Sequence, residues 1–337
     1  MRAWQLAAGA SSLDDLSLIE TAQPAPGPGE VAIRVRACSL NYRDQAIVKG
    51  RYMGGPIPAP IVPLSDGAGE VIAVGAGVTR FKVSDRVAGT FFQNWVDGPP
   101  NPHVGAALGA AGAPGMLAEV VVLPEQGVVP IAASLSYAEA ACLPCAGVTA
   151  WNALFEGPRP VKPGNRVLVL GTGGVSMIAL QLAKAAGCEV VATSSDNAKL
   201  ERAKALGADH GVNYKEIGEW GGHIAATLGG VDKVVEVGGA GTLQQSFAAL
   251  RHNAEVALIG VLMPVGGPNP APLMMTGSIL RGIFVGSRRM AEKLATAVDA
   301  NGIKPVIGAT FGFTDAKKAY DHNASPALFG KTVIEVG

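Results

Sequence analysis

One segment limits the fold more than any other, because it joins an apolar strand to a glycine-rich turn and then to a helix. The strand is Val167–Leu170, the turn reads Gly-Thr-Gly-Gly-Val-Ser over 171–176, and an amphipathic stretch continues to Gly187. A second apolar strand, Glu189–Thr193, follows. This order predicts a βαβ unit that binds a dinucleotide, since the glycines admit a pyrophosphate and the helix N-terminus attracts it.

The backbone of this turn is the predicted pyrophosphate site. Gly171 permits the tight turn, Gly173 permits close approach, and the helix beginning near Gly174 offers the N–H groups of its first turn. Ser176 stands where the motif usually has glycine or alanine, and it is small enough for similar packing. The predicted contacts of the turn with the cofactor are Thr172, Gly173, Gly174, Val175 and Ser176.

The rest of the chain divides by its pattern of strands and helices. Residues 125–288 alternate strand and helix, which predicts an α/β domain with a doubly wound parallel sheet. Residues 1–124 are rich in strand patterns, and we expect the tail, 289–337, to complete that first domain through its last strand. The predicted strands of the middle domain are Val167–Leu170, Glu189–Thr193, Gly211–Asn213, Lys233–Val237, Val256–Gly260 and Gly282–Val285, and its helices include Asn197–Leu206 and Thr242–Leu250.

Composition narrows the class of protein. A chain of 337 residues that is 48% hydrophobic and 16% charged can bury two large cores. The formal net charge is zero, so neither nucleic acid nor a membrane surface is expected as a partner. The N-terminus lacks the apolar core of a signal peptide, and the four cysteines are expected to be reduced thiols. These features predict a cytoplasmic protein.

The end of the second strand predicts the cofactor. Sites specific for NAD place an acidic residue there to bind the ribose, whereas this chain has Ser194. Ser194, Ser195 and Lys199 can instead hold a 2′-phosphate, so NADPH is predicted. Asp196 is expected to cap the next helix. The alternative is that Asp196 turns to the ribose, and the protein would then use NADH.

Together these features resemble the medium-chain dehydrogenase/reductase superfamily over essentially the whole chain. Within it, the run Ala37-Cys-Ser-Leu-Asn-Tyr-Arg-Asp44 is most similar to zinc-independent, quinone oxidoreductase-like members. The resemblance implies a β-rich GroES-like catalytic domain at 1–124, completed by 289–337, and a Rossmann domain at 125–288.

The resemblance also implies that no zinc is bound. Zinc alcohol dehydrogenases have ligands at the positions of Asn41, Ser65 and Cys145, and only Cys145 keeps a ligand residue type. A catalytic zinc needs three protein ligands and an open position. Cys145 is therefore expected to form a small apolar wall beside the nicotinamide, with an active thiol as the alternative.

Further cofactor contacts follow from the resemblance alone. Thr149 is expected near the nicotinamide ring, and Tyr214 near the adenosine phosphate. The other expected contacts lie at strand ends or in the segment that faces the cofactor in this superfamily: Asn41, Val237, Gly238, Gly260, Val261, Phe284, Val285 and Ser287.

The absence of zinc ligands predicts the reaction. Without a Lewis acid, hydride transfer favours acceptors whose anion is already delocalised, namely quinones and α,β-unsaturated carbonyls. The predicted catalytic residues are Asn41 and Tyr52, which can donate hydrogen bonds to the acceptor oxygen of a small apolar substrate. Tyr52 or a water molecule would supply the proton. Two alternatives are an NAD(P)-dependent alcohol dehydrogenase or carbonyl reductase, and a cofactor-binding protein without turnover.

The predicted strand Gly282–Val285 also bears on assembly. It is short, apolar and expected at the edge of the sheet, where an uncovered strand tends to pair with another chain. In the resembling family this edge pairs with a two-fold mate. We therefore expect a homodimer through the edge of the Rossmann sheet.

Overall fold

The structure, a computed structural model, describes residues 1–53, 55–260 and 267–337. Its strands are β1 Arg2–Leu6, β2 Leu16–Glu20, β3 Glu30–Ser39, β4 Asp66–Val74, β5 Arg86–Gly89, β6 Val120–Pro124, β7 Val128–Pro130, β8 Arg166–Leu170, β9 Glu189–Ser194, β10 His210–Asn213, β11 Val231–Glu236, β12 Leu250–Leu258, β13 Ile279–Gly282, β14 Ile307–Gly312 and β15 Lys331–Glu335. Its α-helices are α1 Tyr42–Val48, α2 Tyr137–Ala141, α3 Val148–Phe155, α4 Gly174–Ala185, α5 Asn197–Ala205, α6 Trp220–Leu228, α7 Ala240–Ala248, α8 Ala271–Thr276, α9 Arg288–Asn301 and α10 Ala316–Ala324. Within the described ranges, no helix is both long and apolar enough to cross a lipid bilayer.

The chain forms two compact units. A discontinuous unit combines Met1–Val148 with Gly286–Gly337, and an inserted unit comprises Thr149–Val285. The first division therefore falls after residue 148 rather than after the predicted 124, and the second falls before residue 286 rather than after 288. The chain stays in the discontinuous unit past residue 124 because β7 pairs with β5. Ser39 also donates from its hydroxyl to the Ala141 carbonyl at 2.9 Å.

The inserted unit is a doubly wound sheet, which confirms the predicted fold class. Its six strands are all parallel and follow the order β10-β9-β8-β11-β12-β13. The central strand β8 is apolar throughout Val167–Leu170 and buried, as a parallel strand covered on both faces must be. The direction of winding reverses between β8 and β11, and the carboxyl ends of strands at such a point form a ligand crevice.

Two predicted strands of this sheet have wrong boundaries. The predicted Val256–Gly260 is β12, which spans Leu250–Leu258, and the predicted Gly282–Val285 is β13, which spans Ile279–Gly282. Pairing stops at Leu258 opposite Gly282, and the left-handed φ of +53° at Val285 is incompatible with a continuing strand. The early start of β12 also shortens the predicted helix Thr242–Leu250, because α7 ends at Ala248.

The discontinuous unit is built around a mainly antiparallel sheet, in which β14 and β15 run parallel to each other. Its order is β14-β15-β3-β4-β5-β7, with β6 also paired to β3, and β1 and β2 form a separate pair. The tail returns to this sheet, because β15 runs antiparallel to β3 with Val333 opposite Ser39. The core beneath the sheet includes Ile33, Met116 and Tyr320, which are almost fully buried.

Candidate functional site

The turn after β8 has the geometry that a pyrophosphate requires. Gly171 has a φ of +68°, which only glycine adopts readily. Gly173 is the N-cap of α4, and a Cβ placed on it would meet no atom within 4 Å, so the backbone borders open space. The first hydrogen bond of the helix runs from Met177 N–H to the Gly173 carbonyl. The backbone N–H groups of residues 174–176 therefore lie before the first hydrogen bond of the helix and can bind an anion.

Ser176 explains how the third position of the motif tolerates a residue other than glycine. Its side chain is buried, and the hydroxyl donates to the Leu170 carbonyl at 2.6 Å. This bond ties the first turn of α4 to the end of β8. Ser176 can therefore contribute to a cofactor site through its backbone N–H, and its hydroxyl has a packing role. Thr172 precedes the cap and is also buried.

The residues predicted to select the cofactor lie at neighbouring strand ends. Ser194 ends β9, and its Oγ accepts from Asp196 N–H at 3.2 Å. Asp196 caps α5 as predicted, because its Oδ1 accepts from Ala198 N–H at 2.8 Å and Lys199 N–H at 3.3 Å. Tyr214 follows β10 and donates its N–H to the Ser194 carbonyl at 3.0 Å. Ser195, Lys199 and Tyr214 are each at least partly exposed.

A buried carboxylate that sequence reasoning missed holds the loop after β11. Glu236 is fully buried, and its Oε1 accepts from Gly238 N–H at 2.8 Å, Gly239 N–H at 3.0 Å and the Thr242 hydroxyl at 2.6 Å. The Ser246 hydroxyl donates to its other oxygen. The carboxylate thereby anchors the N-terminus of α7, where a negative charge is stabilised.

The predicted contacts Val237 and Gly238 lie on this anchored loop. Gly260, two residues after the end of β12, borders this loop, since a Cβ at Gly260 would lie 1.8 Å from the Val237 carbonyl oxygen. Only glycine fits there, so the two strand ends approach closely. Val261, predicted as the next contact, lies outside the described residues.

The remaining predicted contacts are distributed over both units. In the inserted unit, Phe284 is 44% exposed and the Val285 carbonyl accepts from Asn152 Nδ2 at 2.7 Å. Thr149 is buried in α3 of the same unit. Ser287 belongs to the discontinuous unit, where its Oγ caps α9 by accepting from Met290 N–H at 3.3 Å.

A buried ammonium holds the start of α1 in the discontinuous unit. Lys331 is the first residue of β15, and its side chain is 3% exposed. Its Nζ donates to the Leu40 carbonyl and to Asn41 Oδ1, both at 2.6 Å. The Asp66 carboxylate lies 3.7 Å from the same nitrogen. Lys331 was not among the predicted site residues, because its partners are distant in sequence.

The residues at the three zinc-ligand positions meet around this ammonium. Asp66 accepts from the Ser65 hydroxyl at 2.8 Å and from Cys145 N–H at 3.3 Å, and it faces Lys331. We call this group the Lys331 cluster: Asn41, Ser65, Asp66, Cys145 and Lys331.

The Lys331 cluster does not fit a catalytic zinc. Of the three ligand positions, Asn41 and Ser65 carry neutral oxygens and Cys145 alone carries sulfur. The Asn41 oxygen already accepts from the Lys331 ammonium, and a second cation beside it would be repelled. Within residues 1–53, 55–260 and 267–337, no group of three His, Cys, Asp or Glu side chains could hold a metal ion.

The cysteine thiols of this unit are held in their neutral form. Burial raises the pKa of Cys145 far above its usual range, and the adjacent Asp66 carboxylate adds to the effect. Burial also raises the pKa of Cys142 to about 12. Because the thiolate is the reactive species, these values favour a packing role for Cys145 over an active thiol.

Tyr52 is positioned by a buried guanidinium. Arg43 lies between two aromatic rings, 4.9 Å from the centroid of Tyr52 and 4.8 Å from that of Phe91, and it donates to the Leu108 carbonyl at 2.8 Å. Asp44 lies 3.7 Å from the same guanidinium. Burial raises the pKa of Asp44 to about 6, although Arg43 opposes the rise. The stacking leaves Tyr52 half-buried.

Comparison with known proteins places this chain in a family. Residues 27–133 match the alcohol dehydrogenase GroES-like domain, and residues 174–300 match the zinc-binding dehydrogenase domain. A zinc-type alcohol dehydrogenase-like protein of Schizosaccharomyces pombe is 44% identical over 92% of this chain and 91% of its own length. The 2-methylene-furan-3-one reductase of Solanum lycopersicum is 30% identical over 99% of this chain and 79% of its own length.

Solved structures agree with this assignment. A protein of Sinorhizobium meliloti 1021, provisionally described as an alcohol dehydrogenase, superposes with a TM-score of 0.89 at 41% identity over the whole of both chains. A crotonyl-CoA carboxylase/reductase in complex with NADP superposes with a TM-score of 0.87 at 25% identity, covering 100% of this chain and 95% of that one. The chain belongs to the medium-chain dehydrogenase/reductase superfamily of oxidoreductases, whose fold binds NAD(P).

Proposed function

We propose that this protein is an NADPH-dependent reductase that delivers hydride to a quinone or an α,β-unsaturated carbonyl without a metal ion. The observation that carries the proposal is the Lys331 cluster, in which an internal ammonium contacts the oxygen of Asn41 at a zinc-ligand position. A simple ketone needs strong stabilisation of a localised alkoxide, whereas a quinone or enone gives a delocalised anion. Two relatives bear names that denote reduction of conjugated substrates, which supports this acceptor class.

In this proposal the inserted unit binds the cofactor. The pyrophosphate lies at Gly173 and the first turn of α4, and the loop anchored by Glu236 supports the nicotinamide end. When bound, the nicotinamide supplies the hydride. Ser194, Ser195 and Lys199 bind the 2′-phosphate, since the Asp196 carboxylate is engaged in capping α5. That engagement favours NADPH over NADH.

The discontinuous unit supplies the groups that act on the acceptor. Asn41 donates from its amide to the carbonyl oxygen and stabilises the negative charge that develops there. The Tyr52 hydroxyl donates to the same oxygen, and either Tyr52 or water provides the proton that completes the reduction. Cys145, held as a neutral thiol, forms part of an apolar wall.

We further propose that the protein is cytoplasmic, forms a homodimer and acts on a small apolar substrate. We expect neither nucleic acid nor a membrane as a partner. The edge strand β13 supports the dimer, because it pairs with β12 on one side and Leu280 on it is 41% exposed. An uncovered apolar edge is a site for pairing with a second chain.

Loss of reduced-cofactor absorbance, followed after treatment with a chelator, tests the proposed activity. NADPH and NADH are each offered with a panel of quinones, enones and simple ketones. Oxidation of NADPH with quinones or enones but not with ketones is the expected result. Oxidation of the cofactor with simple ketones alone would favour the alternative hypothesis, an alcohol dehydrogenase. Tight cofactor binding with no turnover would favour a non-catalytic role.

A further inference from the structure

The amide of Asn41 has only one possible orientation. A lysine ammonium carries donors and no acceptor, so the atom of Asn41 that lies 2.6 Å from Lys331 Nζ must be its oxygen. The NH₂ group is therefore directed away from the ammonium. Orientation of an asparagine amide is often ambiguous, but here a fixed charge decides it.

The NH₂ group left by this orientation lacks a partner. Asn41 Nδ2 is buried and makes no hydrogen bond within the part of the chain that the structure describes. An unsatisfied buried donor is unfavourable and is rare in folded proteins. Such a donor is expected to meet an acceptor oxygen when a ligand binds.

The ammonium that fixes the amide is itself held firmly. Lys331 Nζ also donates to the Leu40 carbonyl and lies 3.7 Å from Asp66, whose side chain is fully buried. Burying a charge is unfavourable unless it is paired and hydrogen-bonded, and both conditions are met here. A donor to the amide oxygen also polarises the amide, which strengthens the N–H as a donor in turn.

We propose that Lys331 is a positioning residue, which holds Asn41 as a polarised donor to the oxygen of the hydride acceptor. The inference rests on the proposed function, in which Asn41 contacts that oxygen. Lys331 does not touch the substrate and acts only through Asn41.

A double-mutant cycle on acceptor kinetics tests the proposal. Asn41→Ala and Lys331→Met are each expected to lower kcat/KM for the acceptor by about 100-fold, the low end of the loss of one oxyanion donor. In the Asn41→Ala background, Lys331→Met is expected to change kcat/KM by less than about threefold, since coupled residues are non-additive. If the loss in kcat/KM of the double variant equals the product of the losses of the two single variants, the proposal is overturned.

Further variants separate positioning from stability. Lys331→Arg keeps a donor to Asn41 and is expected to recover much of the activity lost in Lys331→Met. Lys233→Met is the matched control, because Lys233 is equally buried beside Glu255 at 2.9 Å in the inserted unit. It should lower thermal stability without moving kcat/KM for the acceptor. An equal kinetic loss in Lys233→Met would indicate a general effect of removing a buried charge and would overturn the proposal.

Asn41→Asp keeps the proposal testable if Lys331→Met fails to fold. The new carboxylate retains the contact with Lys331 and replaces the NH₂ donor by an acceptor. Turnover should fall as far as in Asn41→Ala while the melting temperature stays at or above that of the wild type. Full activity in Asn41→Asp would contradict the positioning role.

Failure of the proposed function remains distinguishable from failure of this inference. If the wild type reduces only simple ketones, the acceptor class is wrong, and the cycle is repeated with a ketone. If no acceptor is reduced, dissociation constants for a naphthoquinone are measured by quenching of tryptophan fluorescence. The wild type, Asn41→Ala, Lys331→Met and the double variant are then compared by these constants. Non-additive losses, whether in kcat/KM or in affinity, support Lys331 as a positioning residue, and additive losses refute that role.

Discussion

The two glycines of the turn after β8 should respond differently to the same substitution, alanine. Gly171 has a φ of +68°, and its Cβ position is open, so alanine there is penalised by backbone strain alone. That strain is about 1–2 kcal/mol. Gly173 has a φ of −78° and a ψ of −179°, which alanine adopts freely. Alanine there restricts the unfolded chain, which stabilises the fold by about 0.4–1 kcal/mol, but alanine is a poorer N-cap than glycine by a similar amount, so the two effects offset each other.

The two variants should rank differently in cofactor affinity, with Gly173→Ala binding NADPH more weakly than Gly171→Ala. A methyl group at Gly173 occupies the space into which the pyrophosphate must move and removes at least one charge-assisted hydrogen bond. That bond is worth about 1.5–3 kcal/mol, which corresponds to a rise of about 10- to 100-fold in the Kd for NADPH. Gly171→Ala leaves that space open and should weaken binding much less.

Urea denaturation followed by circular dichroism measures the first effect, and fluorescence titration with NADPH measures the second. Gly173→Ala should be close to the wild type in stability and bind NADPH poorly, while Gly171→Ala should be less stable. Wild-type affinity in Gly173→Ala would refute the placement of the pyrophosphate. Wild-type stability in Gly171→Ala would refute the argument from backbone strain.

Four further predictions concern other parts of the molecule. Glu236→Gln should lower the unfolding free energy by about 2–4 kcal/mol and weaken NADPH binding, because four hydrogen bonds would no longer have a charged acceptor. Unchanged denaturation and titration curves would contradict this. Lys199→Glu should raise the Kd for NADPH at least about tenfold and leave that for NADH nearly unchanged, whereas Lys204→Glu, at the other end of α5, should leave both Kd values nearly unchanged. Burial raises the pKa of Asp44 to about 6 in the folded protein, so the stability it contributes is complete below about pH 4 and is lost as the pH rises through 6. The unfolding free energy of the wild type relative to Asp44→Asn should therefore fall by up to about 3 kcal/mol between about pH 4 and 7, and a flat difference would refute the burial argument. Leu280→Lys should convert a dimer to a monomer in light scattering, and a monomeric wild type would exclude the proposed dimer.

Local patterns predicted those parts of the fold that depend on neighbouring residues. The apolar run Val167–Leu170, the glycine turn and the capping of α5 by Asp196 all arise within a few residues, and each is confirmed by the geometry. Strand ends were predicted less well. The limits of β12 and β13 depend on their mutual register, which apolar character alone does not determine.

The electrostatic parts of the site could not be predicted from local pattern. Lys331 and Asn41 are 290 positions apart in sequence, so only the pairing of β15 with β3 brings them into contact. Glu236 ends β11, which also carries Asp232 and Lys233, and its sequence context is that of a surface residue although the N-terminus of α7 surrounds it. Lys331 became evident only from long-range packing, whereas the partners of Glu236 lie within ten residues of it and converge only in the folded loop.

Metal dependence of turnover tests the central proposal most directly. The protein is stripped with a chelator, and NADPH oxidation by a quinone and an enone is measured before and after one equivalent of Zn²⁺ per chain. We predict equal rates, because the Lys331 cluster already contains its own cation. An enzyme that is inactive when stripped, binds one zinc and regains activity would contradict the proposal.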